Sequence, residues 1–380
     1  MVPRTSVKWL PAIVVPAVIA VGVIAVPLQA GAAIDLPDKT AEQILLMVND
    51  STVTAFSGAL EQSSDIGLPD VDLGAGMSGS LPEAAGAGAV TSALEFLTGS
   101  HEARVYVDGA DRTRVQILDK MDERDLIVNG TDAWTYDSQT NEVSHLAIPA
   151  ELKSSWKDKA AAREAQAPTG LATPAQIAEH FLTEINPTTA VSVGNDGTVA
   201  GRTVYELVLN PNTSDTLVES VTIAVDSETG LPLRVTVAAV GQKAPAFQLG
   251  FTSLDLSVPS ADRFDFTPPA GATVTEVPVP TAADMEKMKS EAPQSDAAPV
   301  EPTSDLPVIA GSGWDAVAEI AASSVPAELS ANPLLAQLTT EVTGGRALST
   351  SLVNVFLATD GRVFVGSVPL ERLQAAAAVQ

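Results

Sequence analysis

Residues 218–239 read VESVTIAVDSETGLPLRVTVAA, and their period decides the fold. Val221, Ile223 and Val225 alternate with Ser220, Thr222 and Ala224. After Ser227-Glu228-Thr229-Gly230 the pattern resumes, with Val235 and Val237 against Arg234 and Thr236. A period of two sends successive side chains to opposite faces, so the stretch is a β-hairpin with one apolar side. The same reading extends outward. Phe247, Leu249 and Phe251 oppose Gln248 and Gly250 within 246–256, and strands are expected at 190–193 and 204–209 around the turn 194–197. Further upstream, Val105 and Val107 face Val115 and Ile117 across Asp108-Gly109-Ala110-Asp111. Leu126 to Val128 runs into Asn129-Gly130, Trp134 and Tyr136 run into residues 137–141, and 143–148 returns. Roughly nine short strands joined by local turns describe an antiparallel sheet and not a βαβ array.

Helices are scarcer. Ala41, Ile44, Leu45 and Val48 carry one apolar stripe, and Thr173-Pro174 starts a second helix whose face is Ile177, Ala178, Phe181, Leu182 and Ile185. The charged, Ala-rich run 153–167 reads as a solvated helix or loop. Two amphipathic helices do not cover the apolar face of so many strands. Alternating Val and Ile most often make an ordinary core. The functional alternative is a sheet curled into a half-barrel whose inner wall holds an apolar ligand, with Val107, Ile117, Trp134, Leu207, Ile223, Val237 and Leu249 as wall candidates. Acyl chains suit such a wall, because each buried methylene contributes about 0.8 kcal/mol with no polar motif required.

Composition narrows the partners. The 380 residues include 21 Lys and Arg against 47 Asp and Glu, a net charge of −26, and no cysteine. An anion of this size is repelled by a phosphate backbone, which argues against nucleic acid. Absent cysteine removes disulfides, thiolate nucleophiles, zinc-thiolate sites and a thioether lipid anchor. Arg4 and Lys8 precede an uncharged stretch from Trp9 to Ile34 that closes on Ala30-Gly31-Ala32, the order of a secretory signal. Cleavage after Ala32 is the first reading; retention as a single membrane span is the alternative, and Pro11, Pro16 and Pro27 weigh against it. Either way the protein is exported to the cell envelope.

The chain therefore divides into a signal or anchor at 1–32, a large domain at 38–278, a linker at 279–307 and a small α+β unit at 308–380. Six glycines between Gly67 and Gly88 mark residues 66–92 as a flexible insertion. Eight prolines from Pro268 to Pro307 among Glu, Asp, Ser and Ala give the linker its composition. In the C-terminal unit helices are expected around Trp314 to Ala322, Leu334 to Leu338 and Leu370 to Val379, with a hairpin from Thr350 to Val365 turning at Thr359-Asp360-Gly361-Arg362.

No catalytic motif is present. His101, His145 and His180 lie in different elements, and no phosphate loop, nucleophile elbow or His-Glu-x-x-His helix occurs. Ser100-His101 lacks the motif and the partnered acid of a hydrolase. Arg104, Arg112, Arg114 and Arg124 form the one basic cluster, read as charge pairing on the outer sheet face in preference to lipid-phosphate recognition. No cofactor, metal or enzyme activity is expected.

Three stretches carry a family resemblance: Leu45 to Gly58, ending Phe56-Ser57-Gly58; Asp226-Ser227-Glu228-Thr229-Gly230-Leu231-Pro232-Leu233-Arg234; and Phe264-Asp265-Phe266-Thr267-Pro268-Pro269-Ala270-Gly271-Ala272. Over Asp38 to Pro278 the chain resembles the outer-membrane lipoprotein carrier (LolA-like) superfamily. The resemblance implies an α+β fold, a curved antiparallel half-barrel with helices on its concave side, that binds acyl chains of lipids or lipoproteins. Related groups include mycobacterial lipoproteins that carry glycolipids and periplasmic sensors that restrain a sigma-factor regulator. The glycine-rich insertion departs from the usual strand order, and the unit after Pro307 resembles an extension of actinobacterial members. Two functions follow: an exported carrier or sensor of acyl chains, or a regulatory module that binds a membrane partner protein.

Overall fold

The computed structural model describes residues 36–67, 99–118, 122–148, 188–277, 308–325 and 338–378. Helix α1 (Ala41–Asn49) starts where the sequence supplies a reciprocal cap. The Thr40 hydroxyl accepts from the Gln43 backbone N–H at 3.3 Å, and the Gln43 side-chain oxygen accepts from the Thr40 N–H at 2.9 Å.

Thirteen strands follow in one sheet. They are β1 (Ala55–Ser64), β2 (Gly99–Asp108), β3 (Arg112–Leu118), β4 (Glu123–Asn129), β5 (Asp132–Asp137), β6 (Glu142–Ala147), β7 (Thr189–Val193), β8 (Gly197–Val199), β9 (Arg202–Pro211), β10 (Val218–Asp226), β11 (Pro232–Ala239), β12 (Phe247–Asp255) and β13 (Thr273–Glu276). Their order is β13-β6-β5-β4-β3-β2-β1-β12-β11-β10-β9-β7, with β8 also on β9. Two antiparallel meanders thus flank β1, which pairs with β2 on one side and β12 on the other. The exception to antiparallel pairing is β13, which returns parallel to β6 after the stretch Pro268-Pro269-Ala270-Gly271. Register shifts leave Thr252 of β12, Glu219 of β10 and Leu233 of β11 without an opposite residue. Such bulges add twist. The result is an open, curved half-barrel, as the resemblance implies.

The second sheet contains β14 (Val308–Ala310), β15 (Val317–Ile320), β16 (Thr340–Val342), β17 (Gly345–Ser349), β18 (Asn354–Ala358) and β19 (Val363–Gly366), ordered β14-β15-β19-β18-β17-β16. Helix α2 (Leu370–Ala378) covers β18 and β19, with Leu373 buried beside Phe356 and Phe364. The β18–β19 hairpin and α2 stand where the sequence places them. The helix expected at 314–322 does not: a single 3-10 turn, Gly313–Asp315, leads into β15. So short an apolar stretch satisfies either period, and pairing with both β14 and β19 selects the strand. The two sheets touch. The Trp314 indole donates to the Thr189 hydroxyl at 2.8 Å, and the Leu217 N–H donates to the Ser367 carbonyl at 2.8 Å.

The N-terminal segment 1–32, the insertion beyond Gly67, the run 153–167, the helix at Thr173 to Ile185, the linker 279–307 and residues 334–337 lie outside the described residues. Among those described, no helix is long and apolar enough to cross a membrane.

Gly230 closes the β10–β11 hairpin at φ 73° directly beneath the last turn of α1. A Cβ there would collide with the Met47 carbonyl. Gly230→Ala combines that collision with left-handed strain, and denaturant unfolding is expected to show a loss of about 1–3 kcal/mol.

Candidate functional site

The register assembles an apolar face from residues far apart in sequence. Leu207 lies opposite Ile223, Ile223 opposite Val235, and Val235 opposite Leu249, a row across four strands. The next row is Leu209, Val221, Val237 and Phe247. Across β1 the same face continues through Leu60, Ala103 and Ile117, and through Phe56, Val107, Thr113 and Val128. Six of the seven wall candidates, Val107, Ile117, Leu207, Ile223, Val237 and Leu249, therefore share one face. We call it the inner face, because α1 lies on it.

Occupation of this face is uneven. Ile44 of α1 is wholly buried in a cluster with Tyr205, Leu207 and Val225, and Leu45, Met47 and Val48 pack on the same cluster beside Leu209 and Ile223. Leu207 is left 3% exposed. In the middle, Leu60, Val105 and Phe251 pack with Phe56, Val107 and Val115, and the Phe56 and Phe251 rings meet edge-on at 5.8 Å. Towards β4 the face opens. Leu126, opposite Val115, is 46% exposed, while the neighbouring Val128 and Leu146 are half-buried.

Trp134 points the other way. It lies opposite Ile127, which is opposite Arg114 and then Tyr106, on the outer face. Its indole stacks on the His145 ring at 3.7 Å and meets Phe266 at 5.6 Å. Alternation alone cannot separate the faces here, because the outer face has an apolar cover of its own. The 3-10 turn Ala261–Phe264 lies against β3 and β4 and buries Phe264, with Ile127 and Val143 also buried on this side. That return of the chain has no period to betray it.

Arg112 and Arg114 of the arginine cluster serve this outer packing, whereas Arg124, opposite Ile117, stands on the inner face. Arg114 makes a two-pronged bond to Asp125, Nε to Oδ1 at 3.1 Å and Nη2 to Oδ2 at 2.6 Å, and donates from Nη1 to the Arg263 carbonyl at 3.4 Å. The bond to Asp125 pushes the guanidinium pKa further up, so this cation is permanent. Arg112 pairs with Asp108 and lies over the Phe264 ring. Ser100 and His101 are successive residues of β2 and so project from opposite faces, which precludes a Ser–His pair between them. Among the described residues no group of three His, Cys, Asp or Glu side chains could hold a metal ion.

Glu61 of β1 faces Glu102 of β2 directly. Burial, and then the Glu102 charge, push the Glu61 carboxyl above the usual range. The folded chain thus holds this proton to higher pH than the unfolded chain does, and stability falls as pH rises through the folded titration. Glu61→Gln is expected to stabilise the protein by about 0.3–0.5 kcal/mol at neutral pH, since water screens the pair, and to change nothing below both titrations; urea midpoints at the two pH values check it.

Strand order and curvature define an open half-barrel with helix α1 packed on one of its faces. The family model described as "Predicted periplasmic protein (DUF2092)" matches residues 85–277, and the chain belongs to that family. No curated protein matches it. Solved structures similar to it include the Pseudomonas aeruginosa MucA/MucB complex, at 14% identity and TM-score 0.40 over 89% of this chain and 96% of that one. A LolA superfamily protein of Nitrosomonas europaea shows 12% identity and TM-score 0.23 over 60% and 99%. An uncharacterized conserved protein of Thermus thermophilus shows 12% identity and TM-score 0.33 over 62% and 99%.

Proposed function

We propose that the protein is an extracytoplasmic, non-enzymatic carrier or sensor that holds the acyl chains of a lipid or lipoprotein against its inner face. The observation that supports this reading is the apolar row structure itself. It runs unbroken across β9, β10, β11 and β12, is sealed by α1 at the β9 end and meets the buried Gln62 of β1 at the other, beyond which the same face presents the half-exposed Leu126 of β4. Val107, Ile117, Leu207, Ile223, Val237 and Leu249 are the wall residues. Trp134, on the outer face, is not one of them. The uncharged stretch from Trp9 to Ile34 directs export and, if kept, ties the protein to the membrane.

The chain from residue 33 onward, purified from the envelope, is expected to carry lipid visible by native mass spectrometry and to bind a fluorescent fatty acid. Val107→Asp and Val237→Asp place a charge on the wall and are expected to weaken binding at least about tenfold with the fold retained by circular dichroism. Protein that neither retains lipid nor binds the probe ends this reading.

A second reading, a module that binds a membrane partner, is favoured by one feature. Among the described residues the small sheet ends on β14, whose Val308 and Ile309 are 60% and 68% exposed on an edge that pairs with no other described strand. A pull-down that returns one stoichiometric membrane protein, lost on deletion after Pro307, would support it.

A further inference from the structure

The C-terminal unit meets the large sheet at three separated places, and all three lie at one end of its strands. The Ser351 N–H donates to the Ile66 carbonyl at 2.8 Å, just past the end of β1. The Ser367 carbonyl accepts from the Thr216 hydroxyl and the Leu217 N–H, both at 2.8 Å, in the loop between β9 and β10. Arg372 pairs with Asp215 of the same loop at 3.7 Å. The Trp314 indole donates to Thr189, the first residue of β7. In the order β1-β12-β11-β10-β9-β7 these places span five strand intervals, about 24 Å across the sheet at the usual spacing.

One of these contacts shows which face the unit reaches. Thr189 is opposite Pro211 and two residues from Val191, which is opposite Leu209. Side chains two apart in a strand share a face, so Thr189 projects inward with Leu209, and Trp314 meets it there. Beside it Gly313 approaches so closely that a Cβ would lie 2.9 Å from the Thr188 side chain. Described residues of the C-terminal unit thus stand across the inner face at this end. The last full row before them, Leu209, Val221, Val237 and Phe247, is half-buried, and Val218, Ala239 and Ala246, one step nearer the unit, are buried.

The chemistry at this end suits a hydrocarbon terminus. Trp314 has one polar side-chain atom, its indole nitrogen, and Thr189 already accepts from it. What remains is an apolar ring, half-buried, with nothing to offer a carboxylate. We propose that the C-terminal unit is the end wall of the inner face, against which the methyl terminus of a bound acyl chain rests, and that Trp314 sets how long a chain is accepted. This rests on the acyl-carrier reading above and gives the small unit a part in it, selection by length. Each methylene adds apolar contact until the terminus reaches the wall, and any further methylene is left in water.

Unbranched fatty acids of increasing length, titrated calorimetrically into the full chain, test the wall. Binding is expected to tighten up to about fourfold per added methylene and then to level off. At the first length past that limit, Trp314→Ala is expected to bind about fourfold more tightly than the unmodified protein, since the space left takes another methylene. A second measurement does not depend on how that variant folds. A fatty acid brominated at its terminal carbon is expected to quench indole emission that Trp314→Phe lacks, and one brominated beside the carboxyl is expected to leave it unchanged. Affinity that climbs across the whole series, the same limit in a folded Trp314→Ala, or Trp314 emission untouched by the terminal bromine overturns the wall alone. No binding at any length overturns the carrier reading with it.

Discussion

Arg114→Met is expected to lower the unfolding free energy by about 3–5 kcal/mol, the usual cost of stranding a buried charge. Asp125 has a side chain only 2% exposed, and its two oxygens are met by Arg114 Nε and Nη2. Methionine fills much of the arginine stem's volume but leaves the buried carboxylate without its cation. It also removes the donor to the Arg263 carbonyl, through which the outer-face turn Ala261–Phe264 is tied to β3. The double change Arg114→Met with Asp125→Leu is expected to recover most of the loss, since a well-packed apolar pair can replace a buried ion pair. Urea unfolding of the two singles and the double gives the coupling. A single-variant loss below about 1 kcal/mol would mean that the pair is solvated and worth no more than a surface bridge.

The second large effect is at Ile44. Truncation to alanine in a cluster with Tyr205, Leu207 and Val225 leaves a cavity that α1, capped and short, only partly refills. A loss of about 2–4 kcal/mol is expected for Ile44→Ala, against about 1 kcal/mol for Ile44→Val. The functional consequence has the opposite sign. Loosening α1 bares Leu207 and Ile223, so binding of a fluorescent fatty acid is expected to strengthen while stability falls. If both fall together, α1 is part of the binding surface and not a plug over it.

The sheet was legible because its strands alternate over five or more residues and its turns carry Gly, Asn and Asp at the required places, as at Ser227-Glu228-Thr229-Gly230. The inner face was legible for the same reason at Leu207, Ile223, Val237 and Leu249, where one side of each strand is plainly apolar. Three things were not legible. Trp134 stands on a strand with apolar neighbours on both sides, and the cover supplied by Phe264 and Phe266 comes from a stretch without periodicity. Residues 314–322 are too short for period to decide, and tertiary pairing chose β15. The contacts of His145 with Asp132 and Glu276 join residues that sequence separates, and a lone histidine on a strand gives no hint of two acids converging on it.

Among the described residues β1 is the first strand, yet it occupies the middle of the finished sheet, with Ser57 facing Asp255. A nascent chain crossing a membrane from its N-terminus therefore offers a bare, half-apolar ribbon until β12 arrives. Pairings so distant in sequence are slow to form and prone to misassociation meanwhile. The order of emergence makes a holding chaperone on the far side of the membrane a natural requirement for productive yield, and a circular permutant that opens the chain after β1 and synthesises that strand last is expected to lift it.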